Sequence, residues 1–161
     1  MNNTQANNPQ ARQRQALTLR QYVQLRNGVP PGDNKSLRNM LHRSLSAASF
    51  AAFWQYWNPI WGYGLGKYVY APAPVLQPAA AFILTFIVSG ILHDLATMAL
   101  SRAFAFLFTP WFFLLGVVAA LGRAFGMDLG QRPFWQRASV NLAYLITCLI
   151  LTLVAKKEFL I

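Results

Sequence analysis

Negative charge is the scarcest commodity in this chain: four Asp and Glu face fourteen Lys and Arg over 161 residues, a formal net charge of +10. Cys148 is the only cysteine and lies in an apolar run, which excludes an intrachain disulfide and a cysteine metal cluster and leaves the redox compartment open. Histidine occurs twice, with no second histidine or carboxylate cluster near either, so no metal site is expected. Charged residues of both signs make up 11% against 55% hydrophobic, too apolar for an ordinary soluble domain and in the range of membrane proteins. The cationic excess suits anionic headgroups, nucleic acid or a phosphate-bearing ligand, and the apolar content turns that choice away from nucleic acid. The length allows one domain, and no internal repeat is present.

The cations gather at the front. Residues 1–50 hold Arg12, Arg14, Arg20, Arg26, Lys35, Arg38 and Arg43 against Asp33 alone. Residues 1–15, rich in Asn and Gln with nothing to bury, read as a disordered polar head, and no short apolar core follows to make a cleaved leader. Over 16–50 the pattern predicts basic amphipathic helices at a cytoplasmic interface. One, in "ALTLRQYVQLRNG", is stopped by Gly28, and after the turn "VPPGDN" a second carries Leu37, Met40, Leu41, Leu45 and Ala48 at spacings of three and four. His42 reads as surface on this second helix.

The remainder, 51–161, reads as an all-α membrane domain. Three apolar runs meet the roughly 20 residues needed to cross a bilayer core, at about 78–100, 103–121 and 138–155. The loop between the last two contains Arg123, Arg132 and Arg137. It and the basic head predict a cytoplasmic N-terminus, although Lys156 and Lys157 count against that orientation. Residues 51–72 are aromatic, but Pro59 and glycines 62, 64 and 66 predict a broken or re-entrant element.

Two residues stand out as candidates for chemistry. Thr85, Ser89, His93 and Thr97 follow one another at intervals of four on the first span, a polar stripe that should face protein or a cavity. Histidine accepts a proton near neutral pH, as a general base must, but it also serves as a packing hydrogen-bond donor between membrane helices. Asp94 lies about 100° round the helix from His93, so its expected partner is another helix or Arg102. Asn58 precedes proline, a turn signal, and its aromatic neighbours suit an interfacial belt.

The segment "FWQYWNP", followed by a polar-striped helix containing "SGILHD", resembles the core of the membrane-bound O-acyltransferase (MBOAT) family over about residues 45–105. The matching positions are Trp57 and Asn58, then Ser89, Gly90 and His93, with "GYGLGKYVYAP" similar to the bacterial branch. The resemblance implies acyl transfer from a thioester, usually acyl-CoA as co-substrate, to a hydroxyl. It makes His93 the general base, Asn58 its catalytic partner, and Ser89, Trp57 and Asp94 supporting residues. No bound cofactor is implied, and Cys148 is not needed as a nucleophile. A bacterial inner membrane location follows, with membrane lipids, the thioester and a hydroxyl compound as partners and no nucleic acid. Family members are usually longer, so a second copy, a companion subunit or an open groove would complete the cavity, unless the chain is an inactive relic. The competing expectation is a non-catalytic cationic membrane protein, a scaffold or assembly subunit or a holin-like pore-former.

Overall fold

A computed structural model describes residues 17–73, 76–104 and 106–159, and the polar head expected at 1–15 lies outside them. Among the described residues the chain is helical, without strands. Helix α1 spans Leu19–Asn27, α2 Ser36–Leu45, α3 Phe50–Tyr56 and α4 Pro59–Leu65, the last followed by a π-turn over Gly66–Tyr70. The longer helices are α5 Pro78–Ser101, α6 Phe108–Ala124 and α7 Phe134–Phe159.

Local chemistry sets these boundaries. Thr18 and Gln21 form a capping box at the start of α1, and Gly28 in the left-handed region ends it. The short helices α1 and α2 are joined by Asn27, which is buried and donates from Nδ2 to the Ser36 hydroxyl at 2.6 Å, while Asn39 donates to the Asn27 carbonyl at 3.1 Å. Asn141 of α7, fully buried, donates to the carbonyls of Leu45 and Ala47 at 3.2 and 3.1 Å. It thereby satisfies acceptors that the end of α2 would otherwise strand. His42 is exposed yet lies flat on Phe134, ring centroids 5.3 Å apart, and Leu129 N donates to the Ala48 carbonyl. The basic helices and the loop before α7 therefore occupy one end of the molecule.

The break in the aromatic segment falls at Asn58, and of the three glycines only Gly66 marks a change, from α-helix to π-turn. Asn58 takes φ 41°, Pro59 occupies the first turn of α4 where its missing N–H costs nothing, and Gly62 and Gly64 lie inside that helix. Phe53, Trp54 and Phe86 form the centre of the core, the last two meeting edge to face at 5.0 Å.

Two helices, Pro78–Ser101 and Phe134–Glu158, are long and apolar enough to cross a membrane. The expected middle span at 103–121 begins later: α6 has 17 residues, about 25 Å at 1.5 Å per residue, short of a bilayer core of about 30 Å. The cause is tertiary. Arg102 adopts a left-handed conformation (φ 53°) and ends α5, and the Asp94 carboxylate accepts from Leu107 N, Phe108 N and Thr109 N at 3.0, 2.9 and 2.8 Å, fixing the start of α6. Pro110 in the first turn fits the same start. The third apolar helix begins four residues before the expected 138.

The turn between α5 and α6 tolerates no side chain at Gly90, where a Cβ would lie 2.6 Å from Thr109 Cα and 2.8 Å from the Phe108 carbonyl oxygen. Gly90→Ala is expected to cost about 2 kcal/mol by forcing the two backbones apart. Thermal unfolding in detergent checks this, a loss near zero showing that the contact is soft.

Candidate active site

A cavity of about 370 Å³, within the size range of small-molecule sites, lies between α3, α4, α5 and α6 with α1 at its edge. Asn58 and His93 both line it. They reach it by different routes, one from the broken segment and one from the middle of a long helix.

His93 is half-buried, its ring held by Trp61 edge-on at 5.7 Å, Phe108 at 5.5 Å and Phe112 at 5.1 Å. Its Nδ1 lies 2.7 Å from the Ser89 carbonyl oxygen. A carbonyl only accepts, so Nδ1 carries a proton, and in the neutral ring Nε2 is then the nitrogen with the lone pair that a general base needs. The support assigned to Ser89 thus comes from its backbone. Its hydroxyl, buried, accepts from Trp61 Nε1 at 2.9 Å instead.

Asn58 is exposed at the cavity rim, and its Oδ1 accepts from Trp61 N at 3.2 Å, capping α4. The cap uses the oxygen, and the side-chain NH₂ has no hydrogen bond among the described residues. Its left-handed backbone suits asparagine, one of the few residues that adopt it readily. Trp61 links the two candidates: its backbone is bound by Asn58, its indole N–H by Ser89, and its ring edge meets His93.

The remaining supporting residues divide. Trp57 stacks on Phe53 at 5.5 Å and lines the cavity. Asp94 does not support the imidazole: it is buried on the other side of α5, and besides the three backbone amides it accepts from Thr109 Oγ1 at 2.6 Å. Its partner is another helix, α6, and not Arg102. Of the polar stripe, Thr85, Ser89 and His93 line the cavity, while Thr97 lies beyond it and bonds back to the His93 carbonyl at 2.8 Å. Cys148 is buried in the core and does not line the cavity. Among the described residues no group of three His, Cys, Asp or Glu side chains is placed to hold a metal ion.

Sequence reasoning passed over Arg26, Trp61, Phe108 and Phe112 as parts of this site. Trp61 had a legible signal, three residues after Asn58 where a side-chain cap reaches a backbone N–H. The two phenylalanines had none, because only the α5–α6 turn brings them to His93. Comparison of the chain with protein-family models, with curated proteins and with solved structures finds no match.

Proposed function

We propose that the chain is an integral membrane O-acyltransferase, using an acyl thioester such as acyl-CoA and a hydroxyl acceptor, of the MBOAT kind its Trp57-Asn58 and Ser89-Gly90-x-x-His93 segments resemble. The observation that carries the reading is the meeting of Asn58 and His93 on one cavity, with Nδ1 of the imidazole bound to the Ser89 carbonyl and Nε2 left for a substrate. In the reaction, Nε2 takes the acceptor's hydroxyl proton as its oxygen bonds to the thioester carbonyl carbon. The Asn58 NH₂ donates to the oxyanion so formed. Collapse breaks the C–S bond, the imidazolium returns the proton to the leaving thiolate, and an ester and a free thiol result. Phe108, Phe112 and Trp61 shield the imidazole from bulk water and hold its plane.

Membrane insertion is supported by the two span-length helices and by the exposure of Leu95, Leu100, Ile146, Ile150 and Leu153 along them. The basic helices at one end support a cytoplasmic N-terminus, and the family resemblance alone suggests a bacterial inner membrane. The test is release of free thiol from acyl-CoA by purified protein in detergent, with and without membrane extract as acceptor source. Release that depends on the extract is expected, and no release with any extract would leave the non-catalytic reading.

The capping bond favours a second role for Asn58, as a purely structural turn residue, and one substitution separates the two. Asn58→Asp keeps the capping oxygen and the left-handed backbone but removes the amide donor. Loss of one oxyanion donor costs about 10²–10³ in kcat, so N58D is expected to fall by that factor at unchanged thermal stability. Unchanged turnover would assign Asn58 to the turn alone.

A further inference from the structure

Among the described residues, Arg26 and Arg123 are the only Lys or Arg side chains on the cavity wall, and no Asp or Glu lines it with them. They serve different places. Arg123 stands over the Phe82 ring at 5.2 Å, eleven residues of α5 before His93, about 16 Å along the helix axis. Arg26 reaches in from α1: its Nη1 donates to Gln55 Oε1 at 2.8 Å, its guanidinium carbon lies 5.4 Å from the Tyr22 ring centroid, and Gln55 is only three residues before Asn58.

Two residues of the cavity wall hold unanswered donors: Arg26 Nε and Trp54 Nε1 are buried without a hydrogen-bond partner among the described residues. Buried donors are normally paired, so unpaired ones on the cavity wall, one of them the guanidinium's own Nε, point to a ligand's acceptor atoms. A guanidinium fixed by a glutamine and an aromatic face matches a phosphate or carboxylate.

Resting on the acyl-transfer reading, we infer that the hydroxyl acceptor carries an anionic group, phosphate or carboxylate, which Arg26 holds while its hydroxyl faces His93. A thioester's acyl chain is neutral. The phosphates of a CoA donor stand a whole pantetheine arm from the reacting carbonyl, too far to bind beside Asn58. The anion at Arg26 therefore belongs to the acceptor.

The probes are dodecyl phosphate, dodecanol with the same tail and no charge, and glycerol 3-phosphate with the charge and no tail. Each is titrated against the full chain in neutral detergent and followed by quenching of the tryptophans, three of which, Trp54, Trp57 and Trp61, line the cavity. Dodecyl phosphate is expected to bind about tenfold more tightly than dodecanol, the value of one charge-assisted contact, with Arg26→Gln abolishing the difference and Arg26→Lys restoring part of it. Displacement of dodecyl phosphate by glycerol 3-phosphate would support a water-soluble acceptor, and failure to displace it a lipid-borne one. Equal binding of the two dodecyl probes, or a preference that survives R26Q in a protein of unchanged near-ultraviolet circular dichroism, overturns the inference. Binding is read without turnover, so the outcomes separate. Acyl transfer without the phosphate preference would sink the anionic acceptor alone, and the preference without acyl transfer would sink the enzymatic reading.

Discussion

His93→Ala is expected to lower the rate of acyl transfer by about 10²–10⁴, the range a positioned general base contributes, while the protein stays folded. The fold should survive because the ring's own hydrogen bond is to a carbonyl one turn below it on the same helix, so its loss strands no buried donor elsewhere. A structural histidine and a catalytic one differ in rescue. Free imidazole added to H93A should recover part of the turnover if Nε2 is the base, because the space vacated between Trp61, Phe108 and Phe112 adjoins the cavity. His93→Gln, which retains a polar side chain but no usable base, should be as slow as H93A. The rate of thiol release, measured with matched circular dichroism, decides between them.

Asp94→Ala is expected to be the most destabilising single change on α5, by about 3 kcal/mol or more. One carboxylate accepts from three backbone amides at the start of α6 and from the Thr109 hydroxyl. Its removal leaves donors in a partly buried turn without acceptors, each costing about 1–3 kcal/mol, and removes an anion from a helix N-terminus. Activity should fall as well, because α6 carries Phe108 and Phe112 against the imidazole. Asp94→Asn keeps one acceptor oxygen and should lose less of both. The midpoint of thermal unfolding in detergent orders the three proteins as wild type, D94N, D94A. A D94A midpoint equal to wild type would show that α6 is set by its own sequence, through Thr109 and Pro110.

These two residues also mark where the sequence was legible and where it was not. The stripe of Thr85, Ser89 and His93 could be read because a single helix fixes its own faces, and three of its four members line the cavity. The interruption near Pro59 was visible too, although it falls on Asn58, and Gly62 and Gly64 lie inside α4, which gives way to the π-turn at Gly66. The start of α6 was hidden, since the run from Ala103 to Leu121 has no charged residue and only Thr109 and Pro110 to mark a start, and its boundary depends on a carboxylate 13 to 15 residues earlier. Asn141 was hidden for the same reason: its partners, Leu45 and Ala47, lie more than ninety residues away in sequence. Arg26 looked like any other cation in a basic head. Only the fold places it on the cavity wall with its own Nε unpaired, as is Trp54 Nε1.

If Asn58 and His93 bound a reaction space, the acyl group itself reports it most directly. Purified wild type and H93A are incubated with acyl-CoA labelled in the acyl chain and with membrane extract, and the label is traced into hydroxylamine-sensitive ester. The account predicts labelled ester from wild type and a loss of at least about a hundredfold from folded H93A. Equal labelling by the two proteins would contradict it.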